Sequence, residues 1–303
     1  MGKNKNFRLW LNRILITVVR FFPYRFRLVI SREPFLRSLI GKFVRFIISS
    51  NSPSIVEITA GPLKGFRLEV HLQSESWHWL GICEPEVFST FLKIVTNGMI
   101  VYDVGAALGS HSLLLARLCG PEGQVFAFEP DAHWFSRLIQ NLELNSIKNV
   151  KPLQLAVSEV SGKIYMGRPS KNDFLRLMEK KKRKWEVIEI SSIALDDFCL
   201  SNPAPELLKI DVEGGEIRVL LGAKRILSQH RPVIICELHG SDLAFQVFEI
   251  LQKYNYLIFY LENNCSEVNF ENISSIPVGH HILAWPKESF SILQKTSLLK
   301  KKL

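Results

Sequence analysis

Five cysteines lie scattered through the 303 residues, at Cys83, Cys119, Cys199, Cys236 and Cys265, and no Cys-x-x-Cys pair occurs. An odd count without paired spacing argues against a disulfide framework and against a cysteine zinc site. It points to a reducing compartment, the cytoplasm. Cys236 falls inside an apolar run, where cysteine acts as a small buried hydrophobe. Also missing is any uncharged apolar run near the roughly 20 residues that a membrane span needs. There is no internal repeat and no low-complexity tract. What is plentiful is apolar residues, 47% of the chain, ample for one large core.

Acidic residues are nearly absent from the first 48 positions. Eleven of the 38 Lys/Arg but only Glu33 of the 29 Asp/Glu lie there, so this segment carries +10 and the rest of the chain about −1. Phe7 to Phe22 is apolar with an arginine every few residues. A basic amphipathic helix with Trp10 and Phe21 suits an anionic membrane surface, with the protein peripheral to it. A helical cap with snorkelling arginines fits equally well. A cleaved signal is disfavoured, because arginine interrupts every apolar core and no Ala-x-Ala site follows. Asn6 stands where myristoylation wants Ser or Thr.

The next absence is a glycine. Val101-Tyr102-Asp103-Val104-Gly105-Ala106-Ala107-Leu108-Gly109-Ser110-His111-Ser112 reads as a buried strand, a glycine turn and the start of an apolar helix. Nucleotide sites in doubly wound α/β domains open this way. A dinucleotide fingerprint wants Gly-x-Gly-x-x-Gly, but Ala106 and Ala107 separate Gly105 from Gly109. That spacing disfavours a nicotinamide-dependent oxidoreductase and suits S-adenosylmethionine, which has no phosphates. The strand Gln124–Phe128 ends at Glu129-Pro130-Asp131, where a βαβ unit places a ribose-binding carboxylate. Glu129 could also be a carboxylate favoured by a helix N-terminus.

Strands are expected near 99–104, 124–128, 150–157, 206–211, 232–237, 256–261 and 280–285, and helices near 110–119, 132–145, 215–228 and 242–253. Such alternation of continuous apolar strands with helices means a mostly parallel sheet covered on both faces. Upstream, 55–60 and 66–71 flank a Gly/Pro turn as a hairpin, and a helix starts at Pro85. The expected organisation is a basic helical extension (1–50), a hairpin and helix (51–98), the main domain (99–290) and a basic tail (291–303). Lys180 to Lys184 is a solvated charge run or a surface for an acidic substrate or lipid headgroup. No aromatic platform beyond Trp185 accompanies it, which disfavours nucleic acid.

Ligands of doubly wound sheets bind beyond the carboxyl ends of the strands. The fourth strand ends in Asp211-Val212-Glu213-Gly214-Gly215-Glu216 and the fifth in Glu237-Leu238-His239. With period two, Asp211 and Glu213 share one side, as do Glu237 and His239. Methyl transfer to oxygen needs in-line alignment and removal of a hydroxyl proton. Asp211, Glu213, Glu237 and His239 are all candidates for that chemistry, and the sequence does not rank them. An oxygen-rich cluster can also bind Mg²⁺. More commonly such a cluster orients groups through hydrogen bonds, so no metal ligand is assigned. Glu216 also reads as a first-turn helix carboxylate, and His239 as an ordinary loop histidine. The fourth strand lacks the Asn/Asp-Pro-Pro-aromatic ending of methyltransferases that act on amino groups, which argues for an oxygen acceptor.

Taken together, these pieces resemble the FkbM-type S-adenosylmethionine-dependent methyltransferases. The matching stretches are Gly81–Glu86, Tyr102–Ser112, Phe128–Pro130, Ala156–Ser158, Leu195–Phe198, Leu208–Glu216 and Glu237–His239, within about residues 80–286. That family usually has Asn where this chain has Ala107. The resemblance implies a seven-stranded class I (Rossmann-like) sheet with the last strand antiparallel. It implies cofactor contacts from Asp103, Gly105, Ala106, Gly109, Ser110 and His111, from Glu129 and Pro130, and from Ala156 and Ser158. It also implies O-methylation of a hydroxyl on a saccharide or secondary metabolite. The alternative is a non-catalytic cofactor-binding protein that acts as a scaffold at a membrane surface.

Overall fold

The computed structural model describes residues 23–33, 35, 38, 39, 42, 53–169, 174–177, 185–296 and 298. The apolar-arginine run 7–22 and the lysine run 180–184 lie outside them, as does most of the tail beyond 296. The chain forms two compact units, one from residues 1–89 and 140–146, the other from 90–139 and 147–303.

In the first unit, helix α1 (Tyr24–Arg32) precedes the expected hairpin, β1 (Pro53–Glu57) and β2 (Arg67–His71), which pairs Val56 with Leu68. The hairpin starts two residues earlier than the apolar run suggests. Helix α2 (Ser76–Leu80) ends on Gly81 in the left-handed conformation, where a Cβ would lie 2.3 Å from the Ala60 carbonyl. Arg27 is 3% exposed and donates to the Leu80 carbonyl at 3.1 Å and to the Thr59 hydroxyl. Asn141 accepts from the Glu69 amide at 2.7 Å, and Asn145 both accepts from and donates to the Arg67 backbone.

Helix α3 (Pro85–Ile94) leads into the second unit. There the chain alternates β3 (Ile100–Val104), α4 (Ser110–Cys119), β4 (Gln124–Phe128), α5 (Ala132–Leu144) and β5 (Val150–Leu153). After an insertion come β10 (Leu207–Ile210), α7 (Glu216–Leu221), β11 (Val233–Leu238), α8 (Ser241–Lys253), β12 (Tyr256–Tyr260), β13 (Ser266–Glu267), β14 (His280–Pro286) and α9 (Phe290–Lys295). The sheet order is β13-β12-β14-β11-β10-β3-β4-β5, with β5, β4, β3, β10 and β11 mutually parallel and β14 antiparallel to both neighbours. This is the expected doubly wound sheet, with a two-residue edge strand added to the seven. Its core is apolar on both faces. Tyr102, Phe126, Phe128 and Phe198 meet edge to face at 5.1–5.7 Å, each pair worth about 0.5–1.5 kcal/mol beyond burial.

The insertion differs from expectation. The run 150–157 is not one strand: the chain breaks after Leu153, and β6 (Ala156–Val157) joins a second sheet. That sheet, in the order β6-β9-β7-β8, adds β7 (Gly162–Arg168), β8 (Arg176–Leu177) and β9 (Glu186–Ile193), followed by the short helix α6 (Leu195–Phe198). Helix 215–228 is likewise shorter, ending at Gly222, with a separate π-type turn at Ile226–His230.

Candidate active site

The glycine turn follows β3 directly. Asp103 at the end of that strand is fully buried, and its Oδ2 accepts from the Ser112 hydroxyl at 2.6 Å. Lys209 stands beside it in the parallel register, 1% exposed. Its Nζ lies 3.5 Å from Asp103 and 3.2 Å from Asp211, and donates to the Gly105 carbonyl at 3.1 Å. A buried ammonium is tolerable only with such partners. Gly105 is left-handed (φ 84°), and a Cβ there would lie 1.7 Å from the Asp211 carbonyl oxygen. Ala107 also sits in the left-handed region (φ 47°), an unusual place for alanine.

Glu129 at the end of β4 explains that conformation. Its two carboxylate oxygens accept from the Ala107 amide at 2.9 Å and the Asp131 amide at 2.8 Å. Burial raises its pKa to about 7 against the opposing pull of these two amides. Asp131 in turn accepts from the His133 amide at the start of α5 and pairs with Arg168.

A cleft opens between the ends of β3, β4 and β10 and the inserted sheet. Gly105, Glu129, Pro130, Ala156 and Ser158 line it, with Met166, Phe174 and Leu175 as an apolar wall. Phe174 stacks on Trp134 at 4.7 Å. Ser158 is 1% exposed, and its hydroxyl has no hydrogen-bond partner. A largely apolar cleft with one orphaned hydroxyl and the carboxylates of Glu129 and Glu213 at its edge fits the adenine and ribose of a nucleoside cofactor. Asp103, Ala106, Gly109, Ser110 and His111 are not among the lining residues. Ser110 and His111 are buried in the first turn of α4, where His111 packs edge-on against Phe91.

The four acid–base candidates do converge. His239 is the hub: its Nδ1 lies 2.7 Å from Glu216, and its Nε2 lies 3.4 Å from Glu237, 3.8 Å from Asp211 and 3.9 Å from Glu213. Glu216 is fully buried and also accepts from the Gly214 amide. Burial alone would lower the His239 pKa. The hydrogen bond and charge of Glu216, with the charges of Glu237 and Asp211, outweigh it and raise the pKa to about 9. Glu213, left-handed at φ 53°, is pushed upward mainly by burial and lies 3.4 Å from Arg176 of the insertion. Asp211, Glu237 and His239 each offer a ligand atom, all within 4.8 Å of one another, a spacing that could hold a metal ion.

Reading residues alone overlooked Lys209, His281 and Glu262 in this neighbourhood. A lone lysine inside the four-residue apolar strand β10 was a usable signal. His281 carried none, because its role depends on strand register.

Residues 103–258 match the family model described as the methyltransferase FkbM domain. The hexuronic acid methyltransferase AglP of Haloferax volcanii is 31% identical over 205 residues, covering 67% of this chain and 81% of its own. The methyltransferase sdnD of Sordaria araneosa is 27% identical over 172 residues, 45% of this chain and 66% of its own. Among solved structures, the methyltransferase FkbM from Methylobacillus flagellatus aligns with 18% identity and a TM-score of 0.45, over 71% of this chain and 52% of its own. This chain thus spans about half the length of that structure and four-fifths of the haloarchaeal relative. The family model and the haloarchaeal relative place it: the chain belongs to the FkbM methyltransferase family and is an S-adenosylmethionine-dependent methyltransferase.

Proposed function

We propose that this enzyme methylates a hydroxyl oxygen of a saccharide acceptor. The observation that carries the reading is the His239 hub, a buried Glu216–imidazole pair facing Asp211, Glu213 and Glu237 at the ends of two neighbouring strands. In this reading Gly105, Pro130, Ala156 and Ser158 hold the cofactor, and Glu129 takes its ribose hydroxyls. Asp103, Ala106, Gly109, Ser110 and His111 shape the turn from behind. When bound, S-adenosylmethionine supplies a methyl group activated by a sulfonium.

The remaining work falls to the rim. With a pKa of about 9, His239 carries a proton at neutral pH, so both ring nitrogens donate. It therefore orients and neutralises the carboxylates, and a carboxylate takes the hydroxyl proton. Burial pushes the pKa of both Glu237 and Glu213 upward, and Glu237 is the better base because it stands nearer His239, at 3.4 Å against 3.9 Å. Glu213 faces Arg176 and is the more peripheral group. Lys209 and Arg176 offset Asp211 and Glu213, and Glu216 pairs with the imidazolium, which leaves the Glu237 carboxylate to accept from a hydroxyl donor. The acceptor named for the haloarchaeal relative, hexuronic acid, supports a saccharide class here.

The test is transfer of labelled methyl to a panel of neutral and uronic-acid glycosides. An alkali-stable methyl ether is expected. An alkali-labile ester would overturn the hydroxyl assignment, and no transfer to any member would overturn the saccharide class.

A second reading, docking on an anionic membrane, has its own observation. Arg27 pins α1 inward, while Phe26 and Val29 are 51% and 54% exposed on the same helix. Their apolar area adds to the +10 charge of residues 1–48. Among the described residues, no helix is long and apolar enough to cross a membrane. Flotation with phosphatidylserine-containing vesicles should weaken in a Phe26→Ser/Val29→Ser variant. Equal flotation of both proteins would end the idea.

A further inference from the structure

We propose that His281 and Glu262 complete a coupled acid–base chain, Glu216–His239–Glu237–His281–Glu262, in which His281 removes the acceptor's proton from Glu237. The proposal rests on Glu237 as the base in the reading above.

The geometry comes from the sheet. Strand β14 runs antiparallel beside β11, and its register sets His281 directly opposite Glu237. Directly opposed residues on neighbouring strands bring their side chains together on one face. The Glu237 carboxylate consequently lies between two imidazoles. Its Oε1 is 3.4 Å from His239 Nε2, and its Oε2 is 3.6 Å from His281 Nε2. Each imidazole is backed by a carboxylate on its other nitrogen. Glu216 stands 2.7 Å from His239 Nδ1, and Glu262 stands 2.7 Å from His281 Nδ1. Glu262 is itself fixed, since both of its oxygens accept from the His281 amide at 3.0–3.1 Å.

The two backing carboxylates differ in one respect that gives the chain a direction. Glu216 is fully buried, whereas the Glu262 side chain is 20% exposed. A proton can leave through the Glu262 end and not through the Glu216 end. An ionised carboxylate only accepts, so the close Glu262 oxygen assigns a hydrogen to His281 Nδ1. In the neutral ring Nε2 is then the acceptor that faces Glu237.

The step balances. As the new O–CH₃ bond forms, the acceptor O–H bond breaks and its proton goes to the Glu237 carboxylate. Glu237 Oε2 then passes a proton to His281 Nε2. The imidazolium formed is offset by Glu262 and releases its Nδ1 proton to solvent on that side, which leaves the Nε2–H tautomer. After the product departs, Nδ1 takes a proton back through Glu262 and Nε2 gives its own to Glu237, whose side chain is 16% exposed and exchanges it with solvent, and this restores the starting state. The charged groups facing Glu237 are Asp211 from the end of β10, His239 from its own strand and His281 from β14. Burial first, and then the Asp211 charge, raises the Glu237 pKa, while a hydrogen bond with His281 and the charges of His239 and of His281 once protonated oppose that rise.

Histidine ring titration by NMR on the ligand-free full chain tests the coupling. His281 is assigned with His281→Gln, and each variant's fold is checked by its amide spectrum. Glu237→Gln is expected to lower the titration midpoints of both His239 and His281 by about one pH unit, since each ring loses a facing carboxylate. A His281 midpoint that does not move would overturn the chain. In methyl transfer to a uronic-acid glycoside, His281→Gln is expected to lower kcat 10- to 100-fold. The acid limb should move to lower pH, because only the wild-type relay needs a neutral His281, and the KM for S-adenosylmethionine should stay within twofold. Glu262→Asp should recover activity that Glu262→Ala loses. Unchanged kcat and acid limb in His281→Gln would also overturn the proposal. An active Glu237→Gln enzyme in which both histidine midpoints fall as expected would instead remove the base assignment.

Discussion

Replacing Gly105 with alanine tests the turn that organises the whole site. Two costs follow from its geometry. Alanine held at φ 84° costs about 1–2 kcal/mol relative to glycine. The added Cβ would also lie 1.7 Å from the Asp211 carbonyl oxygen, a backbone atom with no rotamer to adjust. Relief requires the turn to move away from β10. That movement strains the Asp211 amide bond to Val104, at 2.9 Å, and the Lys209 bond to the Gly105 carbonyl, at 3.1 Å. Each lost bond adds roughly 0.5–1.5 kcal/mol. The total is about 2–5 kcal/mol, a fall in Tm of roughly 4–20 °C for a domain of this size. Gly109→Ala is the matched comparison. It has nearly the same φ, 91°, but its Cβ meets only the Leu138 Cδ1 methyl at 2.6 Å, the movable end of a side chain. Its cost should stay near the conformational 1–2 kcal/mol. Denaturant unfolding measures the order, and S-adenosylhomocysteine titration reports the cleft. A Gly105→Ala protein as stable as Gly109→Ala would refute the reasoning.

Three further outcomes are expected. Ala107 is held left-handed by its amide bond to Glu129, so Ala107→Gly should stabilise the protein by up to about 1 kcal/mol in the same unfolding assay. The Glu129 pKa is raised to about 7, and the ribose hydroxyls that the proposed function places on it would favour its ionised form. S-adenosylhomocysteine affinity should therefore fall up to tenfold per unit as pH drops below 7, and calorimetric titration of Glu129→Gln should show no such slope. The folded-state pKa of His239, about 9, lies above its ordinary 6.5. Its contribution to stability, about 3 kcal/mol, is fully present below pH 6.5 and lost as pH rises through 9. Unfolding free energies of wild type and His239→Gln should converge above pH 9, and a constant gap would contradict the assignment.

The sheet was legible because its strands are nearly continuous apolar runs. Leu207, Leu208 and Ile210 are each wholly buried, and such runs occur where both faces are covered. The inserted sheet was not legible. Strand β7 exposes the consecutive Gly162 and Lys163 as well as Tyr165 and so alternates only weakly, and β8 is two residues long. Period-two signals fade in strands of that kind. The long helix expected at 215–228 stops at Gly222, where a Cβ would lie 2.1 Å from the Ser158 carbonyl. There tertiary packing, not helix propensity, sets the end.

The glycine turn shows how a correct residue can carry an incomplete reason. Glycine was expected at position 105 because a ligand must approach the backbone. The atom that a Cβ would strike is instead the Asp211 carbonyl, across the junction of β3 and β10. The turn is therefore tied to the rim acids through the backbone as well as through Lys209, which bridges Asp103 and Asp211. The same logic separates the visible from the hidden site residues. Asp211, Glu213, Glu237 and His239 sit in pairs two residues apart at the strand ends, so a local reading groups them, although β10 stops at Ile210 and Glu213 is left-handed rather than in strand. Lys209 beside Asp103 and His281 beside Glu237 are pairs across strands, and only register makes them neighbours. Register is set by the whole sheet, so no local spacing could reveal it. An acid–base site at strand ends is thus half written in local sequence and half in strand order. The second half decides which of four similar carboxylates is flanked by two imidazoles.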